Sequence, residues 1–136
     1  MVTVMETVAQ PREMFRAMQL EIDGLPKLGR SARELGIRID VDLPVDADGW
    51  VEPGTGGMSV AVDDALNLPK HRRPRSLGGD GRDPVFSLQT RVLPDDLALR
   101  VDRRPHAFVE PARRSPLQLY EAALALTRSS WRKIDD

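Results

Sequence analysis

The 136-residue chain contains no cysteine. Disulfide-linked scaffolds, thiolate zinc sites, iron–sulfur clusters and cysteine nucleophiles are therefore excluded. Aromatic residues make up only 4% of the chain, so a core has to be built mainly from aliphatic side chains and methionine. The sequence also lacks an apolar run near the ~20 residues that a membrane-spanning helix needs, which argues against a membrane protein.

Apolar residues are nevertheless frequent enough for one folded domain. They make up 40% of the chain, which excludes a mainly disordered protein, and the length suits a single domain over residues 1–136. The net charge of −1 conceals an asymmetry, because residues 1–69 carry −6 and residues 70–136 carry +5. Either the two halves fold onto each other and their charges interleave, or the surface is polarised and attracts an anionic ligand.

The first ten residues do not have the pattern of a secretory signal peptide. Met1–Gln10 contains Glu6, carries no basic residue and has no apolar central region; a signal peptide needs both a basic start and an apolar centre. We therefore expect a protein that stays in the cytoplasm or is exported by a route that reads no cleavable signal.

Short strands and one helix predict an α+β fold with a small β core. The predicted strands in the second half are Val85–Gln89, Leu97–Asp102 and His106–Glu110. Proline-containing turns separate the second strand from its neighbours on both sides, as expected between paired strands. Nearer the start of the chain, Glu13–Ile22 fits either a strand or a short helix.

Two further segments are predicted from local patterns. Ser31 followed by Glu34 fits a capping box and predicts a short helix that Gly36 ends. In Ile37–Leu43, apolar residues alternate with charged ones. That alternation indicates an edge strand or an extended segment.

A C-terminal amphipathic helix has the clearest signals in the chain. Ser115 is the predicted N-cap, Pro116 the first helical residue, and Gln118 completes a capping box. Apolar and aromatic residues then recur every three or four positions, which predicts one buried helical face. The predicted face consists of Leu117, Tyr120, Leu124, Thr127, Trp131 and Ile134.

A basic, glycine- and proline-rich stretch at Pro69–Asp83 predicts a mobile surface loop. The cluster around His71 in this loop is either a solvated surface or a contact for a phosphate or nucleic acid. No aromatic side chain lies within the cluster to stack on a base. Together with a sequence pI near 6.1, this makes nucleic acid an unlikely partner.

Few residues have the spacing of a known catalytic or metal motif. Ser59 follows two glycines, but Ala61 stands where a nucleophile elbow needs a glycine. Two histidines without cysteine do not suggest a zinc site, and neither Asp63-Asp64 nor Asp95-Asp96 has metal-loop spacing. We therefore expect no metal, and composition and spacing alone do not identify a function.

The order of several short motifs resembles a known toxin family. The chain has Met14-Phe15-Arg16-Ala17, then Thr55-Gly56-Gly57-Met58-Ser59-Val60, Leu93-Pro94-Asp95-Asp96-Leu97, His106 and Val109-Glu110-Pro111-Ala112 before the last helix. In this order they resemble the small type VI secretion effector toxins with an ADP-ribosyltransferase-like fold, the "second type VI effector" family of Pseudomonas. The resemblance covers roughly residues 14–131.

The resemblance implies an NAD-using enzyme and assigns roles to five residues. Arg16 falls on the early strand arginine of the family, which would contact a phosphate or ribose of NAD. Gly56 and Gly57 would let the backbone approach the ligand. Ser59 and His106 would be catalytic, with the Ser59 hydroxyl placing the nicotinamide ribose and His106 holding a ribose hydroxyl.

The resemblance also implies a toxin that acts in the cytoplasm of a target bacterium on an unknown macromolecule. An immunity protein would protect the producing cell. The alternative is a non-catalytic interaction domain of the same fold that binds a protein or an anionic partner. Two departures favour this alternative: Met58 replaces the threonine that precedes the serine in the family, and no glutamate can be assigned to steady the ribosyl cation.

Overall fold

The computed structural model describes residues 11–134, so the Met1–Gln10 segment lies outside the described residues. The strands are β1 Glu13–Ala17, β2 Trp50–Val51, β3 Met58–Val62, β4 Val85–Gln89, β5 Leu97–Arg103, β6 His106–Pro111, β7 Ser115–Pro116 and β8 Arg132–Lys133. The α-helix α1 spans Leu117–Leu126. Short 3-10 helices lie at Ala65–Asn67, Lys70–Arg72, Arg75–Leu77, Thr90–Val92 and Arg128–Ser130.

Six of the strands form one antiparallel sheet in the order β5-β6-β3-β1-β4-β8, and β2 pairs with β7 in a separate two-stranded sheet. The predicted α+β class and the three predicted strands of the second half are confirmed. The open choice for Glu13–Ile22 is also resolved, because a strand forms over Glu13–Ala17.

The large sheet separates a main core from a smaller apolar cluster, as the alternation along β3 illustrates. Met58, Val60 and Val62 belong to the main core, which also contains the buried residues of α1. Ala61 belongs to the smaller cluster, which also contains Ala65 of a 3-10 helix. Since neighbouring residues of a strand point to opposite faces, Ser59 shares the second face with Ala61.

The C-terminal helix forms, but both predicted boundaries are wrong. Ser115 pairs with Val51 in the two-stranded sheet, and Pro116 occupies the N-cap without a side-chain cap. The N–H of Leu117 instead donates to the carbonyl of Gly49 at 2.9 Å. Extended pairing with a distant segment therefore replaces the capping box.

The helix also ends before the last three residues of its predicted face, which are Thr127, Trp131 and Ile134. α1 stops at Leu126, where the Thr127 hydroxyl donates to the carbonyl of Leu124 at 2.7 Å. Leu117, Leu124 and Trp131 are all buried, but Trp131 follows the 3-10 turn rather than the helix. These three residues are buried as predicted. The prediction of one continuous helix through all residues of the face is wrong.

The predicted helix at Ser31–Gly36 is wrong, because backbone groups of this segment are bonded to other parts of the chain. The segment forms a turn, in which the N–H of Glu34 donates to the carbonyl of Ser31 at 3.2 Å. The N–H of Leu35 donates to the carbonyl of Lys27 at 2.7 Å. The capping pattern thus marks a local turn that tertiary contacts keep from becoming a helix.

Ile37–Leu43 is neither an edge strand nor an extended segment. Asp40 adopts a left-handed conformation with φ of 65°, and the chain turns there while Ile37 and Leu43 stay buried. An ion pair of 2.8 Å between Arg38 and Asp42 spans the turn. The alternating pattern therefore does not mark a buried face, since Val41 within the turn is exposed.

Tyr120 of α1 ties the helix to two strands through its hydroxyl group. The hydroxyl accepts from the N–H of Met58 at 3.2 Å and donates to the carbonyl of Val109 at 2.5 Å. Burial raises the pKa of Tyr120, so the phenol stays protonated and able to donate.

We expect Tyr120→Phe to lower the free energy of unfolding by about 1–3 kcal/mol, because it leaves a buried N–H and a buried carbonyl without their partner. Chemical denaturation followed by fluorescence measures this. The control is Leu119→Ala on the exposed side of α1, which should change the stability by roughly 0.5 kcal/mol or less. Equal stability of the Phe variant and the parent would contradict the bridging role of the hydroxyl.

Candidate functional site

A cleft of about 550 Å³ opens beside the second face of the large sheet. Strands β1, β3 and β6 contribute Arg16, Ser59 and His106 to its lining, and the loop after β3 contributes His71 and Arg72. The structure therefore brings together Arg16, Ser59 and His106, which are far apart in the chain and to which the family resemblance assigned roles. A cleft of this volume lies within the range of roughly 300–1,000 Å³ that is typical of small-ligand sites.

The register of β3 against β6 explains why Ser59 and His106 are neighbours. Ser59 pairs with Phe108, and Ala61 pairs with His106. Ser59 and His106 are thus diagonal cross-strand neighbours, which lie roughly 7–8 Å apart. The Ser59 hydroxyl has no hydrogen-bond partner among residues 11–134, so it is available to a ligand in the cleft.

His106 is accessible and has a defined polar partner. Its side chain is 43% exposed, and its Nδ1 lies 2.7 Å from Oδ1 of Asp102. The ring of Phe108 packs against the imidazole edge-to-face, with 4.8 Å between the ring centroids. Both contacts restrain the imidazole at the margin of the cleft.

Arg16 lies in the wall of the cleft, and most of its guanidinium is bonded to main-chain carbonyls. The residue is only 7% exposed. It donates to the carbonyl of Ser59 at 2.7 Å, and to those of Ala32 and Glu34 at 3.3 and 2.9 Å. Burial lowers the pKa of Arg16 to about 10, so the guanidinium remains charged near neutral pH.

The position of Arg16 coincides with the point where two strands separate. β1 and β3 pair only at Met14–Val62 and Phe15–Ala61. One residue further along, the Arg16 side chain supplies the donor for the Ser59 carbonyl. The guanidinium therefore joins β3 to the turn at Ala32–Gly36. The sequence predicted a ligand contact for Arg16 but not this structural role.

The cleft is cationic, mostly through residues to which the sequence assigned no site role. Arg38 is paired with Asp42, and Arg104 with Asp63. Within the described part of the chain, Arg72 and Arg103 have no ion-pair partner, although both line the cleft. Arg72 belongs to the basic cluster that the sequence analysis identified, whereas Arg103 is the last residue of β5, where no such signal was present.

The comparison with protein-family models decides the family. The model described as "Tse2 ADP-ribosyltransferase toxin" matches residues 12–131. The chain belongs to this Tse2 toxin family. No curated protein and no solved structure gives a significant match. The α+β fold with its antiparallel sheet is accordingly that of a small ADP-ribosyltransferase-like domain, and the family relationship supports a toxin.

Gly56 and Gly57 of this Tse2-family chain serve the packing of the backbone rather than the lining of the cleft. A Cβ at Gly56 would lie 2.1 Å from the carbonyl oxygen of Asp42, and one at Gly57 would lie 2.5 Å from that of Val109. Neither glycine is among the described residues that line the cleft. Their close approach is to the chain itself, and ligand contact stays a prediction.

In this Tse2-family protein the carboxylates of Asp42 and Glu110 differ in whether they line the cleft. Asp42 is the one carboxylate among the described residues that line the cleft. Glu110 lies elsewhere, where it accepts from Arg100 and from the N–H of Gly54, both at 2.8 Å. The described residues contain no group of three or more potential metal ligands among histidine and acidic side chains.

The remaining predictions concern the basic loop and the membrane. The loop over Pro69–Asp83 contains two 3-10 turns, Lys70–Arg72 and Arg75–Leu77, without a buried residue in either. Its mobility stays a prediction. Among the described residues, no helix has the length and apolar character that crossing a membrane requires.

Proposed function

We propose that this Tse2-family toxin binds NAD in the cleft and transfers its ADP-ribosyl group to a macromolecule of the target cell. The observation that carries the proposal is the convergence of Arg16, Ser59 and His106 on one cleft. These residues come from three strands and are distant in sequence, so no local pattern brings them together.

The charge of the cleft supports an NAD ligand. Arg72 and Arg103 line it without a carboxylate partner among the described residues, and arginine binds phosphate groups through paired donors. The pyrophosphate of NAD provides acceptors for these side chains. The Ser59 hydroxyl and the accessible His106 offer hydrogen bonds to a ribose on the neighbouring strands.

Transfer of an ADP-ribosyl group from NAD does not require a covalent bond between the ligand and the protein. When bound, NAD supplies an ADP-ribosyl group whose bond to nicotinamide breaks with the electron pair leaving on nicotinamide, while the acceptor bonds to the ribose carbon and loses its proton. Ser59 and His106 orient the ribose. Asp42 provides the negative charge that the lining offers to a developing positive charge, and Arg38 holds that carboxylate in place.

We also propose the biological setting that is typical of such toxins. The protein is delivered by a secretion system and acts in the cytoplasm of the target cell. An immunity protein neutralises it in cells of the producing strain. Membership of the Tse2 toxin family supports this setting.

The second candidate is a non-catalytic domain that binds an anionic or protein partner through the same cleft. The observation that favours it is the use of the Arg16 guanidinium by protein carbonyls, which leaves it less free for NAD. An anionic partner would bind less tightly as salt is raised, because screening weakens attraction between charges.

The test of the enzymatic function compares Ser59→Ala with Ser129→Ala, a control at an exposed serine outside the cleft. Induced expression of the parent and of the control should arrest bacterial growth, and Ser59→Ala should restore it. Purified protein should release nicotinamide from NAD when target extract is added. NAD should also raise the unfolding temperature, since a ligand that binds only the folded state stabilises it, by about 2.7 kcal/mol at one hundred times Kd.

Growth arrest without NAD-dependent stabilisation and without nicotinamide release would favour the interaction domain. Growth arrest by Ser59→Ala as strong as that of the parent would contradict a catalytic role for the serine.

A further inference from the structure

Asp102 contacts His106 but has no part in the chemistry proposed so far. Its Oδ1 lies 2.7 Å from Nδ1 of His106, across the turn that joins β5 to β6. Both side chains are partly exposed, at 32% and 43%. The pair therefore stands at the margin of the cleft, where an imidazole meets both protein and ligand.

A β-bulge places the carboxylate beside the ring. The β5–β6 ladder runs regularly to the pair Val101–Ala107, after which Arg103 rather than Asp102 pairs with His106. Asp102 is thus the additional residue in β5. Such bulges disturb the ladder locally and re-aim side chains, and here the side chain meets the imidazole of the next strand.

Hydrogen bonding determines which ring nitrogen carries the proton. Partial burial acts to raise the pKa of Asp102, but hydrogen bonds from His106 and from the N–H of Arg103 outweigh it and lower that pKa. An ionised carboxylate only accepts hydrogen bonds, so Nδ1 has to donate. In the neutral ring, Nε2 is then unprotonated and can accept a hydrogen bond.

We propose that Asp102 is a positioning residue that holds His106 in the Nδ1–H tautomer, which leaves Nε2 as an acceptor for a hydroxyl group of the ligand. The edge-to-face contact with Phe108 supports the same ring orientation. A carboxylate that orients an imidazole in this way acts through the histidine, without touching the ligand. The part of the proposal that concerns the ligand rests on the proposed binding of NAD.

The tautomer is tested by nitrogen NMR on the full chain, labelled with ¹⁵N and made by cell-free synthesis so that toxicity does not limit yield. Long-range proton–nitrogen spectra distinguish protonated from unprotonated ring nitrogens. The chain has two histidines, so His71→Gln assigns the His106 signals. In the parent, at a pH where the ring is neutral, Nδ1 should be the protonated nitrogen.

Asp102→Ala should shift His106 towards the Nε2–H tautomer, which imidazole side chains favour when they have no partner. The matched control is Asp96→Ala, which removes an exposed aspartate paired with Arg113 and should leave the His106 signals unchanged. Asp102→Glu, which keeps a carboxylate, should retain more of the Nδ1–H tautomer than Asp102→Ala. An Nε2–H ring in the parent, or the same spectrum in Asp102→Ala, would overturn the proposal.

The consequence for the ligand is measured separately. NAD should bind Asp102→Ala up to about tenfold less tightly than it binds the parent, since one neutral hydrogen bond contributes roughly that much. Unchanged NAD affinity in a variant with the altered tautomer would refute the positioning role. A parent that binds no NAD would instead refute the proposed function, and the tautomer result would still stand.

Discussion

Replacing Arg16 by methionine is expected to lower the free energy of unfolding by about 3–5 kcal/mol, because several carbonyls lose their hydrogen-bond donor. The guanidinium donates to buried or partly buried carbonyls of Ser59, Ala32 and Glu34, and each buried acceptor that loses its partner costs roughly 1–3 kcal/mol. Methionine fills much of the same volume, so the measured loss reports the hydrogen bonds. Urea denaturation of the purified variant measures the effect.

The matched control is Arg38→Met in the same cleft. Arg38 is half exposed and paired with Asp42, and exposed ion pairs contribute only about 0–1 kcal/mol. An Arg16→Met variant as stable as Arg38→Met would show that the guanidinium does not brace the cleft. In that case the proposed contact of Arg16 with NAD would become its main role, and NAD-dependent stabilisation should disappear in Arg16→Met.

Replacing Trp131 by alanine is expected to cost about 3–5 kcal/mol of stability, because it removes a large side chain from the core and leaves a cavity. Trp131 is 2% exposed, and its Nε1 donates to the Thr127 hydroxyl at 2.9 Å. For a domain whose total stability is typically about 5–15 kcal/mol, this is a large fraction. Calorimetry or chemical denaturation measures the loss.

Trp50 provides the matched tryptophan outside the core. It is half-buried and stacks with Arg114, whose guanidinium carbon lies 4.5 Å from the ring centroid. Exposed contacts of this kind contribute about 0.5–1 kcal/mol, so Trp50→Ala should cost much less than Trp131→Ala. Equal losses in the two variants would contradict the assignment of Trp131 to the core.

The strands of the second half were predictable because their sequences combine apolar residues with flanking turns. Val85–Gln89 forms over the predicted range, and Leu97–Arg103 and His106–Pro111 differ from the predicted ranges by one residue. The absence of a helix at Ser31–Gly36 was not predictable in this way. The capping pattern is local, whereas three carbonyls of this segment accept hydrogen bonds from Arg16, which is distant in the chain.

The candidate site was predictable only through the order of family motifs. Neither Ser59 nor His106 lies in a catalytic spacing pattern, and no local signal connects Asp102 with an imidazole. Their proximity follows from the β3–β6 register and from the bulge in β5. Register depends on which strands pair and on where a ladder is interrupted. β3 and β6 are far apart in sequence, whereas the bulge lies beside the short turn between β5 and β6, where the sequence pattern shows no sign of it.

The sequence by itself determined the absence of cysteine chemistry, the aliphatic core, the three strands of the second half and the existence of a C-terminal helix. These properties depend on composition and on the period of apolar residues, which are local quantities. Only the tertiary structure decided where α1 begins, why Gly56 and Gly57 are glycines, and which side chains share the cleft. In each of these cases a hydrogen bond or a close contact comes from a distant segment: the Gly49 carbonyl for Leu117, and the Asp42 and Val109 carbonyls for the two glycines. Since such partners are chosen by the folding of the whole chain, no local pattern encodes them.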